Sequence, residues 1–227
     1  MPVNPILIFI LFAAVAGVIA WLGHMANVKR REAMAAAATA LGLEFSPEKD
    51  RNLARDFQFL DKLNQGSNRY AYNILSGTFQ DFPVKMFDYH YETHSTDSKG
   101  RRQTHHHHFS FFILMFPSTF PELKIGPEGF FSKIAQAIGF DDIDFESHAF
   151  SRQFCVRSKD KKFAYDFCNA RMIEYLLDHP RLTIEVEHHA MAVCASGKIA
   201  PENIRPGLEQ LVELRSRMPA YLFTENT

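Results

Sequence analysis

The chain has 227 residues, a net charge of −1 and 46% hydrophobic residues. That length holds one domain with a sizeable core, and near-neutrality gives no electrostatic case for nucleic acid as a partner. Twenty-two Phe call for an aromatic-rich core or an apolar surface patch, and three cysteines without a C-x-x-C pair exclude a cysteine-based zinc motif.

From Val3 to Val28 there is no Lys, Arg, Asp or Glu, and Pro5 to Leu22 is apolar almost throughout. Eighteen such residues at about 1.5 Å each give roughly 27 Å of helix, enough to cross a hydrocarbon core. Residues 1–28 therefore read as a membrane anchor that meets the lipid bilayer through 5–22. A signal peptide is the competing reading, but its positive charge should precede the apolar run. Here Lys29, Arg30 and Arg31 follow it, and the positive-inside rule then puts the N-terminus outside and the domain in the cytosol. Ala13-x-x-x-Gly17 and Ala16-x-x-x-Ala20 would let a second helix approach closely, although small residues are common in any span.

Glu32–Leu41 is alanine-rich, so the helix is expected to continue as a stiff stalk over 29–42 and to stop at Gly42. The domain then occupies 43–227. Leu43-Glu44-Phe45 reads as extended. Leu53, Phe57, Leu60 and Leu63 recur at spacings of three and four, which predicts an amphipathic helix. From Arg69 the period becomes two, with Tyr70, Tyr72 and Ile74 on one face, and a turn at Gln80–Pro83 leads to a second strand, Val84–Glu92. A polar loop, Ser95–Thr104, separates it from a third, His105–Phe116, and Leu123–Ile125 reads as a short edge strand. Glu128–Ile138 is amphipathic at helical spacing.

In the second half Phe154 and Val156 mark a strand. Ser158 is the expected cap of a helix through Cys168, and Asn169 the cap of the next, whose buried stripe is Met172, Ile173, Leu176 and Leu177. His179-Pro180 stops that helix. Leu182–Glu187 and Ala190–Ala195 read as a hairpin turning at His188-His189, and Gly207–Met218 as a final helix. The fold class is α+β: a mostly antiparallel sheet, a meander plus a hairpin, covered by helices. A barrel closed by the last helix is the open variant.

The run FESHAFSRQFCVRSKDKKFAYDF, then NARMIEYLL, then LTIEVEHHAMAVCASG, with the earlier GTFQDFPVKMFDYHY, resembles a family of bacterial membrane proteins classed as domains of unknown function. The resemblance covers most of the chain from about Gly77 to Gly197. It implies an N-terminal hydrophobic segment and one α+β domain, and it carries no catalytic residues across; with the topology above, the chain is expected in the bacterial inner membrane. The histidine run and the loop from Ser95 are particular to this chain.

Two constellations stand out. Asp88, His90, Glu92 and His94 alternate with aromatics, so on a strand they share one face, and hairpin pairing would bring histidines from His105–His108 across from them. His90, Glu92, His94, His105 and His107 are the candidate ligands for zinc or another divalent transition ion. The rival readings are a solvated polar face and a pH-responsive one. The second constellation is basic: Lys29, Arg30 and Arg31 beside the anchor, with Lys99, Arg101 and Arg102 in the loop, which could meet anionic lipid. Ordinary solvated loop charge is the rival there. A nucleophile elbow, a phosphate loop and a dinucleotide fingerprint are all missing. Apolar neighbours Phe154, Phe167 and Val193 favour buried, inert thiols. The expectation is a membrane-anchored adaptor, not an enzyme and with no required cofactor, that binds a protein partner or a second copy. The alternatives are a metal-dependent enzyme and an anionic-lipid-binding module.

Overall fold

The computed structural model describes residues 5–127 and 142–224. Helix α1, Pro5–Leu41, runs unbroken for 37 residues. It ends at Gly42, whose φ of +69° is a left-handed conformation that glycine adopts without penalty. Among the described residues it is the one helix long and apolar enough to cross a membrane.

The two halves of α1 have different surroundings. Ile8 to Leu22 is exposed throughout. Met34 and Ala38, one turn apart, are buried in the main core, and Leu41 packs against it. The alanine stretch expected to be a stiff stalk is helical and packs on the domain's core, its small side chains letting the helix lie close to the sheet.

Six strands form one antiparallel sheet: β1 (Glu44–Ser46), β2 (Ser67–Phe79), β3 (Phe82–Thr96), β4 (Arg102–Pro127), β5 (Phe154–Ser158) and β6 (Ile184–Ser196). The order is β1-β2-β3-β4-β6, with β5 beside the far end of β4. Among the described residues no ladder joins β1 to β6, and the sheet formed by them does not close. Helices α3 (His148–Gln153), α4 (Lys161–Phe167), α5 (Ala170–Asp178) and α6 (Ile204–Arg217) cover one face together with the end of α1. The other face is covered by the segment from Leu53 to Leu63.

Several expected elements take another form. Leu53, Phe57, Leu60 and Leu63 are all buried, but only α2, Leu53–Asp56, is α-helical, followed by a 3-10 turn at Asp61–Asn64. Buried polar partners draw the backbone off the helix. Tyr89 Oη donates to the Leu63 carbonyl at 2.8 Å, Asp61 N donates to Glu185 at 3.1 Å, and the Asp61 carboxylate takes Lys124 at 2.6 Å. Leu123–Ile125 is no edge but the interior of β4, flanked by β5 and β6. Pro117 lies where β4 slips register against β6, so its missing N–H interrupts no regular ladder.

The hairpin foreseen at His188-His189 is one continuous strand, with His188 at φ +51° in the same irregular stretch. Asp160, not Ser158, caps α4, its carboxylate accepting from Phe163 N at 3.0 Å, while Ser158 Oγ donates to the Glu122 carbonyl at the end of β5. Asn169 caps α5 as expected, accepting from Arg171 N and Met172 N. The β2–β3 connection is a two-residue turn, Gln80-Asp81, both at positive φ. The helix expected over Glu128–Ile138 lies outside the described residues.

Candidate functional site

The junction of α1 with the sheet is built on one buried carboxylate. Asp88 of β3 is fully buried, and Arg30 of α1 reaches it with both guanidinium nitrogens, at 2.6 and 3.1 Å. The second nitrogen also donates to the Ile199 carbonyl at 2.9 Å. Asn73 Nδ2 and Ser110 Oγ donate to the same carboxylate at 2.9 and 2.8 Å, and Ser110 Oγ accepts from Ile199 N. A planar fork on a carboxylate whose remaining lone pairs are filled is the arrangement that makes a buried ion pair tolerable.

Asn73 reaches this network because β2 carries a bulge. Tyr72 pairs with Asp88 but Leu75 with Met86, so three residues of β2 span two of β3, and Asn73 has φ +50°. The same bulge puts Leu75, and not Ile74, on the face that carries Tyr72. Tyr70, Tyr72 and Ile74 therefore do not share one face as plain alternation predicts.

Beyond Asp88 the same face carries the metal-competent groups. The β3–β4 register pairs His90 with His108, Glu92 with His106 and His94 with Thr104. His90 Nε2 lies 3.0 Å from His106 Nδ1, which lies 3.5 Å from Glu92 Oε1, and all three ligand atoms fall within 4.8 Å of one another. Donors at about 2.0–2.1 Å from a tetrahedral zinc are roughly 3.3 Å apart, so these residues fit such an ion. His90 Nδ1 donates to the Asn68 carbonyl at 3.2 Å, which leaves Nε2 as the ligand atom. Burial holds the His90 pKa below the ordinary range, keeping its imidazole neutral, and Tyr70 stacks on its ring at 4.7 Å. A hydrogen bond from Asn68 Nδ2, at 2.7 Å, holds Glu92 below the usual carboxylate range.

Of the five expected ligands, His90 and Glu92 meet in this cluster, and His106 replaces the others. His94 lies at the strand end, between Ser67 and Thr104. His105 and His107 pair with Thr93 and Tyr91 and so belong to the other face. His107 stacks on Tyr91 at 4.7 Å, and His105 bonds Ser95 at 2.8 Å. Side chains alternate across a strand, so a register one residue away from the expected one exchanges the whole histidine set.

The basic residues also separate. Arg30 is turned inward on Asp88 and is not a lipid-facing cation. Lys29 and Arg31 are exposed on α1. Arg101 pairs with Asp97 at 2.9 Å in the β3–β4 turn, whose tip also exposes Lys99 and Arg102. Burial pushes the Cys194 thiol up to about 12 and raises Cys168 as well, so neither is a thiolate near neutrality.

No protein-family model and no curated protein matches the chain. A solved structure does: the crystal structure of the mycobacterial trehalose monomycolate transport factor A, TtfA, has a TM-score of 0.52 and covers 84% of this chain and 95% of that one, at 12% identity. At that identity the likeness is one of fold. The α+β architecture is shared over that matched part.

Proposed function

We propose that this chain is a single-pass membrane-anchored adaptor, an assembly component whose α+β domain holds a protein partner at the cytosolic face of a bacterial inner membrane. The observation that carries the reading is the Arg30–Asp88 fork, which builds the lower half of α1 into the domain. An anchor fused to its domain fixes the domain's height and orientation, which an adaptor needs and a freely diffusing enzyme does not. Residues 1–28 are the anchor, with the N-terminus outside, and the helix over 29–42 docks on the domain of 43–227. The resemblance to bacterial membrane domains of unknown function agrees with this placing, as does a structural neighbour named a transport factor.

The test is extraction of the tagged full-length chain in mild detergent after cross-linking in cells. A stoichiometric partner supports the reading. Cross-links confined to two copies of this chain would replace it with a homo-oligomer, and repeated recovery of a monomer alone would sink it. A second reading, a divalent-metal site with a catalytic or structural role, is favoured by the His90, Glu92 and His106 cluster. Its test is stoichiometric zinc in protein purified without a metal-affinity resin.

A further inference from the structure

A cleft of about 340 Å³ opens between α1 and the sheet. Arg31 of α1, Lys49 of the β1–α2 connection and Lys198 after β6 bring three cations to its walls, and no carboxylate lines it. Among the described residues none of the three is in a salt bridge. Lys49 Nζ sits 4.2 Å above the Tyr70 ring and Lys198 Nζ 5.8 Å from the Tyr72 ring centroid, so aromatic walls hold both ammonium groups beside the opening. The nearby Asp88 carboxylate is already taken by Arg30. Cations gathered from three separate stretches of chain and left unneutralised mark an anion site.

Its position along α1 narrows the anion. His24 and Asn27 line the cleft on the same helical face as Arg31, at spacings of three and four. At about 1.5 Å per residue they lie roughly 3 to 14 Å beyond Leu22, the last residue of the apolar run. The headgroup layer on each side of a hydrocarbon core is about 5 to 8 Å thick. If α1 crosses the bilayer as read above, the cleft begins in that layer, where the abundant anion is a lipid phosphate.

We propose that this cleft binds the phosphate of an anionic lipid headgroup. Arg31 supplies a planar fork suited to phosphate oxygens, and Lys49 and Lys198 supply point charges on the opposite side. The proposal rests on the membrane reading of α1, and it differs from a diffuse basic surface because it needs Lys49 and Lys198, not the β3–β4 turn.

The experiment uses the full chain in a neutral detergent, with native mass spectrometry during titration of phosphatidylglycerol, phosphatidylcholine or inorganic phosphate. Retention of phosphatidylglycerol is expected, without retention of phosphatidylcholine and without competition from equimolar inorganic phosphate. Lys49→Glu with Lys198→Glu should weaken that retention about tenfold or more, while Lys99→Glu with Arg102→Glu at the distant turn should leave it unchanged. Both pairs are exposed, and a far-UV melt confirms that each variant folds. Equal retention by the cleft variant, equal loss in the turn variant, or full competition by inorganic phosphate would each overturn the proposal. Flotation of the wild-type chain with phosphatidylcholine vesicles tests the anchor separately. A chain that floats but shows no headgroup preference fails the cleft alone; one that does not float fails both.

Discussion

Arg30 and Asp88 stand 58 positions apart, one on a helix whose other half is bare and apolar, the other fully buried in the third strand of the sheet, and their side chains meet at 2.6 Å. Removing the guanidinium leaves a buried carboxylate with only Asn73 and Ser110 as partners. Arg30→Ala should therefore cost about 3 kcal/mol or more, a fall in melting temperature of roughly 6–12 °C for a chain of this size. Arg30→Lys should recover part of it, since an ammonium keeps the charge and loses the fork. Melting of the detergent-solubilised full chain, followed by circular dichroism, checks both.

Gly207 offers a case in which two physical effects have opposite signs. It lies in α6, where alanine ordinarily stabilises a helix by up to about 1 kcal/mol. A Cβ there would meet Phe112 at 2.5 Å, and Phe112 is 2% exposed within the main core. Overpacking of that kind costs about 1–3 kcal/mol. Gly207→Ala should thus destabilise, and Phe112→Leu in the same background should relieve part of the loss. Urea unfolding of the two variants decides the sign.

Glu185 gives the chain a pH dependence. It is 3% exposed, and burial, with the Asp61 charge behind it, pushes its pKa up to about 7. Burial also penalises Lys124, but hydrogen bonding to Asp61 and Glu122 holds its ammonium above the ordinary range, so it stays charged. For a carboxyl whose folded pKa exceeds its unfolded value near 4.5, the folded state binds more protons between the two. Stability from this group is greatest below about pH 4.5, falls as pH rises to about 7, and is flat above. Glu185→Gln should remove that slope and raise stability above pH 7 by up to about 3 kcal/mol. Chemical unfolding at a series of pH values between 4 and 9 measures it.

The histidine cluster makes a claim about register. Zinc added to chain purified without a metal-affinity resin should raise its melting temperature. His90→Ala with His106→Ala should abolish the rise, and His105→Ala with His107→Ala, on the opposite face, should not. An equal loss in the two pairs would mean nonspecific binding by a histidine-rich strand end.

What could be read from the residues follows the reach of each signal. The long N-terminal helix, the stop at Gly42, the start of a turn at Gln80 and the cap at Asn169 are set by chemistry within a few neighbours, and they stand where that chemistry puts them. The Leu53–Leu63 segment failed as a helix because its polar backbone and Asp61 answer to Tyr89, Glu185 and Lys124 from distant strands. Only His90 and Glu92 of the five candidate ligands meet in the cluster, for a related reason. Alternation alone puts Asp88, His90, Glu92 and His94 on one face, but whether His105 or His106 joins them depends on the length of the turn at Asp97–Arg101. Asn73 and Ser110 carried no local signal. Nor did any local signal announce the burial of Asp88, because alternation groups it with His90, Glu92 and His94 as one polar face.

Because α1 passes from the exposed apolar half into the packed half without a break, the apolar half has an angular phase relative to the sheet as well as a length. Each residue added between Leu22 and Arg30 would lift the domain by about 1.5 Å and turn it by about 100° around the helix axis. Any surface that grips the apolar half is therefore indexed to a fixed side of the domain, and a tilt or rotation of that half is transmitted to the sheet as a lever transmits torque.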